Sequence, residues 1–116
     1  MTDFCLSSAD QATMYEAFKA TGIMDEEGNI QTQGLFDDGT DWCLLDWGAR
    51  TWNVQTGIDP KTEMPVVVIE TDGLYWCVLR WNGDHPLPAD QPGVTVAWAS
   101  NDEDAPEYPQ GLPRFA

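Results

Sequence analysis

Basic side chains are scarce in this chain. Five Lys and Arg stand against 20 Asp and Glu, a formal net charge of −15 over 116 residues. A surface that negative repels nucleic-acid phosphates and anionic lipid headgroups, so neither nucleic acid nor membrane is expected as a partner. Partners should be cationic, or should meet the chain through an apolar patch. Histidine is limited to His85, and cysteine to Cys5, Cys43 and Cys77. These four possible zinc ligands are scattered and include no C-x-x-C pair, so no zinc site is expected. Three thiols cannot all pair within one chain. Met1–Leu6 has neither a basic region nor an apolar run, so no export signal is expected, and free thiols in a reducing compartment are the simplest reading. One disulfide with a spare thiol is the alternative. No stretch approaches the roughly 18 apolar residues of a membrane span.

Catalytic constellations are equally thin. His85 lies in the Pro-rich loop His85-Pro86-Leu87-Pro88, Cys77 sits in a strand pattern, and Ser100 has no nucleophile-elbow turn around it. No Gly-rich phosphate loop occurs. Asp25–Asn29 invites a calcium reading, but an EF-hand counted from Asp25 would need Gly where Ile30 stands and Glu where Phe36 stands. Asp37, Asp38 and Asp41 around Gly39 read as a solvated acidic loop. The expectation is a protein that is not an enzyme and takes no cofactor or metal.

What the chain does have is apolar and aromatic: 42% hydrophobic residues and six Trp. That suits a packed globule, and the length suits one domain. Met64–Trp81 reads as a hairpin of two strands about the turn signal Thr71-Asp72-Gly73. In its second half Leu74, Trp76 and Val78 point one way and Tyr75, Cys77, Leu79 and Trp81 the other. Both faces are apolar, as in a central strand covered on two sides. Strands at about 42–47, 51–56, 64–70 and 74–81 are expected to form a meander. A first strand at Asp3–Leu6, a weak one at Ile30–Thr32 and a last one at Val94–Trp98 complete the set. Ser8 and Gln11 match a capping box, so a helix is predicted over Ala9–Thr21, with Met14, Tyr15 and Phe18 on its core stripe and Gly22 at its C′ position. The fold class is thus α+β: a small antiparallel sheet of four or five strands with one N-terminal helix packed on it. Residues 1–100 form this domain, and 101–116 an extended, acidic, Pro-rich C-terminal segment.

The chain resembles a family of small proteins encoded in tail modules of tailed bacteriophages and prophages, near the tail-fibre genes. The opening Asp3-Phe4-Cys5-Leu6-Ser7-Ser8-Ala9-Asp10, the turn Asp25-Glu26-Glu27-Gly28-Asn29 and the loop Thr56–Thr62 carry the likeness. So do the aromatic strand Leu74–Arg80, Leu87-Pro88 and the closing Pro113-Arg114-Phe115-Ala116. The likeness covers nearly the whole chain, with Val94–Glu107 as an insertion. It implies a structural component of the tail, baseplate or tail fibre, or a fibre-assembly factor. Such a protein would work through contacts with other phage tail proteins and be oligomeric within an assembly. It would be found in the host cytoplasm during assembly or in the virion tail.

A contact surface is expected from Trp47, Trp52 and Trp81 of the meander with Tyr108, Leu112, Arg114 and Phe115 of the C-terminal segment. Trp76 and Trp98 are expected in the core, with Trp42 divided between core and interface. Pro106, Pro109 and Pro113 would hold the segment extended and cut the entropy lost on docking. The alternative is that the segment folds back to cover its own sheet. Two other functions fit parts of the composition: an acidic mimic of nucleic acid that blocks a DNA-binding host or defence protein, and a carbohydrate-binding module stacking sugars on Trp.

Overall fold

The computed structural model of the protein describes residues 2–104 and 107–115. Pro106, one of the expected stiffening prolines, and the closing Ala116 therefore lie outside the described residues. In chain order the elements are β1 (Thr2–Ser8), α1 (Gln11–Thr21), β2 (Gln33–Leu35), β3 (Asp41–Gly48), β4 (Thr51–Ile58), β5 (Pro65–Thr71) and β6 (Tyr75–Asn82). A short 3-10 turn at Pro88–Asp90 precedes β7 (Thr95–Ala99). Five strands lie side by side as β2-β3-β6-β1-β7, with every pairing antiparallel, while β4 and β5 form a separate two-stranded sheet. The expected α+β class, with one N-terminal helix and a mostly antiparallel sheet, is what forms.

The strands of the expected meander all exist, but they do not make a meander. β5 pairs only with β4, and β6 pairs with β1 and β3. The turn between β5 and β6 is therefore a crossing between two sheets, and Met64–Trp81 is no hairpin. Asp72 explains the difference. Its carboxylate accepts the Leu74 N–H (3.0 Å) and is held by Arg50 (2.6 Å) and the Trp76 indole N–H (3.0 Å), which pins the crossing instead of closing a ribbon turn. The apolar rows of β1 and β3 then flank β6. Its place at the centre, apolar on both faces, is as its residues implied.

Helix α1 begins two residues later than the capping box predicts. Asp10 is the cap: its backbone is extended and its Oδ1 accepts the Thr13 N–H at 2.8 Å. The Ser8 hydroxyl instead donates to the Asp10 carbonyl (2.7 Å), so the box with Gln11 does not form. Gly22 ends the helix at φ 89°, in the left-handed region open to glycine. The strand expected at Ile30–Thr32 is reduced to a single bridge between Met24 and Ile30, and β2 starts at Gln33.

The sheet has two cores. On one face α1 lays Met14 and Phe18 against Leu6, Leu44, Cys77, Leu79, Trp42 and Trp81, with Ile23 and Met24 closing the end. On the other face Cys5, Trp76 and Val78 are buried beneath Leu45, Ala97, Trp98 and three residues of the C-terminal segment, Tyr108, Leu112 and Phe115. The alternation of β6 sends each side chain to the face its sequence position implies. All three cysteines are free thiols, and burial pushes the Cys77 thiol far up.

Candidate functional site

The two-stranded sheet is an arm. β4 and β5 pack on each other and make almost no contact with the remaining elements. The molecule measures 62 × 34 × 24 Å with a radius of gyration of 17.0 Å, where a compact chain of this length has about 13 Å. β5 is exposed along its whole length. Val66 (42%), Val67 (53%), Val68 (44%) and Ile69 (70%) are all open to solvent, and Ile58 and Met64 near the tip are exposed as well. The cross-strand register assigns the faces. Trp52, Val54, Val68 and Glu70 share one, with Val66 beside them; Asn53, Gln55, Val67 and Ile69 share the other. Apart from Glu70 at its base, one face is therefore apolar across both strands. The other is apolar on the β5 side and polar on the β4 side.

The base of the arm is held by Arg50. Its guanidinium lies over the Trp52 ring on the arm (4.8 Å) and the Trp76 ring of the body (4.7 Å), and it donates to Asp72 and to the Gln110 carbonyl (3.2 Å). Burial would raise the Asp72 carboxyl, but the Arg50, Leu74 and Trp76 donors outweigh it and hold the group below its ordinary value. The C-terminal segment presses on the same place. A Cβ on Gly111 would come within 2.2 Å of the Thr51 carbonyl oxygen, so only glycine lets the segment pass this close to β4.

The C-terminal segment covers the second face of the sheet. Tyr108 meets Trp98 edge to face at 4.9 Å and donates its hydroxyl to the Pro113 carbonyl. The Arg114 guanidinium lies 3.9 Å from the Tyr108 ring centre and 5.5 Å from that of Trp98. Arg80 sits over the Phe115 ring (4.7 Å) while gripping Asp3 with two hydrogen bonds, 2.8 and 3.0 Å. Of the two courses open to this segment from sequence, the folded-back one is the structure.

The seven residues expected to make the contact surface are thus dispersed. Trp47 is 49% exposed on β3 and is open to a partner. Trp52 is half-buried under Arg50 at the arm's base. Trp81 is 4% exposed, packed in the helix-side core with its indole N–H donating to the His85 carbonyl (3.0 Å), and it offers nothing to a partner. Tyr108, Leu112 and Phe115 are half-buried on the sheet, with Arg114 exposed beside them. Trp42 is core as well, its ring lying where a Cβ on Gly34 would fall. Val66–Ile69, the most open apolar stretch, was expected only as a strand of the hairpin and was not named among the contact residues. One signal marks it out: in so acidic a chain, Thr51–Ile58 and Met64–Ile69 contain no charged residue.

His85 makes the chain's one histidine–carboxylate pair. Nδ1 lies 3.0 Å from Asp38 Oδ2 and Nε2 lies 2.9 Å from the Thr21 carbonyl oxygen, with the ring stacked on Phe36 at 3.7 Å. Nε2 faces a carbonyl rather than a hydroxyl or thiol, so the arrangement ties the β2–β3 turn to the end of α1. Asp25 is likewise occupied, its Oδ1 accepting the Glu27 and Asn29 N–H groups in a closed turn. Among the described residues no three His, Cys, Asp or Glu side chains cluster as metal ligands. Among the same residues no helix is long and apolar enough to cross a membrane.

The architecture is an α+β body, closed by its own C-terminal segment and carrying a projecting β-ribbon. The chain matches no protein family, no curated protein and no solved structure.

Proposed function

We propose that this chain is a non-enzymatic protein of a phage tail module, a tail, baseplate or fibre component or a fibre-assembly factor, acting through protein–protein contacts. One observation carries the contact reading: the β4–β5 arm holds Val66–Ile69, Ile58 and Met64 in solvent, with apolar side chains exposed on both faces of one ribbon. A two-stranded ribbon is marginal alone in water, and an exposed apolar patch of this kind marks an interaction site. The surrounding charge leaves few other routes, because the body holds most of the acids and repels acidic surfaces far more than the arm does. The tail-module reading rests on the resemblance of the opening, the Thr56–Thr62 loop, the Leu74–Arg80 strand and the closing motif.

Affinity capture from phage-producing cells tests both halves. The native chain should retain tail, baseplate or fibre proteins, and Val66→Asp with Val68→Asp should lose at least tenfold of that capture while the body stays folded. Mass spectrometry of purified virions then separates a virion component from an assembly factor. Capture of host DNA-binding proteins instead, unaffected by the arm substitutions, would overturn the proposal in favour of nucleic-acid mimicry.

A further inference from the structure

We infer that a second copy of this chain occupies the arm, joined through the open edge of β5 into one four-stranded antiparallel sheet across a two-fold axis. This rests on the reading of the arm as a protein-contact surface and names the partner that meets it first.

Two edges are open, and they differ. β4 carries an irregularity: the register shifts between Gln55 and Gly57, leaving Thr56 as an extra residue opposite Val66 and Val67. A bulge of that kind twists an edge away from further pairing. β5 is regular, has its proline only at the first position, and bears no charge before Glu70. Of the usual devices that blunt an exposed edge, β5 has almost none. Its side chains also repeat the signature of β6, apolar on both faces. For β6 the chain supplies a strand on each edge and a layer on each face; for β5 it supplies β4 on one edge and no layer on either face.

The second copy fits this edge in shape and in charge. Pairing β5 with β5 in antiparallel sense about Val67 or Val68 sets valine against valine or isoleucine and keeps Glu70 away from its own equivalent. On the mixed face, Val67 and Ile69 of both copies become a central apolar row, and Asn53 and Gln55 move to the outside. Four strands also remove the marginal stability of two. Charge then explains why the contact belongs on an arm. Within Thr51–Thr71 three acids and one lysine leave −2 of the chain's −15, so the bodies hold the rest. Antiparallel pairing over the seven residues of β5 sets the bodies at opposite ends, about 20 Å apart, beyond the ~8 Å Debye length at physiological salt. Two such bodies cannot meet face to face without cost; their arms can.

Sedimentation equilibrium of the full chain from low to high micromolar concentration is the test. Twice the mass of one chain is expected, falling to that of one chain in Val67→Lys with Ile69→Lys, while near-ultraviolet dichroism of the tryptophans stays unchanged. Lysine is the discriminating choice because it lowers the net negative charge, so dissociation cannot come from added repulsion between bodies. Hydrogen exchange of the native chain gives a reading that needs no variant: amides of Val66–Thr71 should gain about tenfold protection above the dimerisation concentration. A single-chain mass throughout, a doubled mass that survives both lysines, open-ended growth, or no concentration-dependent protection of β5 would each overturn the inference. A single-chain species that still captures tail proteins would overturn this inference alone; a dimer that captures none would overturn the tail reading alone.

Discussion

Arg50 shows how much one side chain does in a molecule with three arginines. It lies where the arm leaves the body after Gly48, and its partner Asp72 lies where the arm returns. Both side chains are four-fifths buried, so water screens their attraction less than it would on an open surface. The folded-state carboxyl of Asp72 is lowered, so the stabilisation it gives is fully present above the ordinary value near 4 and is lost as pH falls through the lower, folded one. Asp72→Asn should therefore cost about 1.5–3 kcal/mol at neutral pH and remove part of the acid-induced loss of stability below about pH 4. Denaturant melts at pH 7 and pH 3 check this, and an acid loss identical in both proteins would show that Asp72 does not contribute it. Phe18 is the corresponding test of the helix-side core. It is fully buried between α1 and the sheet, and Phe18→Ala should cost about 3–5 kcal/mol. Unchanged thermal stability would mean the ring is not packed there.

Among the elements, the C-terminal segment behaves as an eighth layer piece rather than a free tail. Tyr108, Leu112 and Phe115 roof Cys5, Trp76 and Val78, and each of the chain's three arginines stacks on an aromatic ring at this face. Removing Leu112–Ala116 should lower stability by about 2–4 kcal/mol, since two half-buried apolar side chains are lost and Trp76 and Val78 are uncovered. Chemical denaturation measures it, and a truncated chain as stable as the native one would return the segment to the role of a free docking strand. This element also shows where sequence was legible. Tyr108, Leu112 and Phe115 can be recognised as anchors from their type and from the prolines between them, but whether they anchor to the chain itself or to a partner depends on what the other face of the sheet lacks. β5 and β6 pose the same problem in a sharper form. Both are apolar on two faces, and both were legible as strands. Periodicity says that such a strand will be covered; it does not say by which neighbours, because β6's partners are far off in sequence: 67 to 79 residues for β1 (Ser8↔Tyr75 to Thr2↔Trp81) and 28 to 41 for β3 (Gly48↔Trp76 to Asp41↔Asn82). The short connection through Asp72-Gly73 suggested pairing, and the Arg50 and Trp76 contacts to Asp72 that prevent it are visible only in three dimensions. Helix α1 and the alternation of β3 and β6 were readable because they depend on local spacing alone.

At the scale of the whole molecule two electrostatic effects oppose each other. Acids outnumber bases four to one, so like charges face one another across the body. Each pair about 20 Å apart costs about 0.2 kcal/mol in unscreened water, and there are many such pairs. Against them stand two short, partly buried attractions, Arg50–Asp72 and Arg80–Asp3. Salt acts unequally on the two. Long-range repulsion between exposed carboxylates is screened almost fully once the Debye length falls well below 20 Å, whereas pairs in contact and shielded by aromatic rings lose less. The repulsive sum should therefore dominate the response, and the melting temperature should rise between about 10 mM and 0.5 M sodium chloride. Each kcal/mol recovered appears as about 4 °C for a chain of this size. Arg80→Met separates the terms, because it removes one attraction and adds one unit of net negative charge: its melting temperature should lie below the native value and should rise more steeply with salt. Scanning calorimetry across the salt series measures both slopes. A native melting temperature that falls with salt would show that the few arginine contacts outweigh the many acids, and that the cations gathered under the C-terminal segment set the stability of the fold.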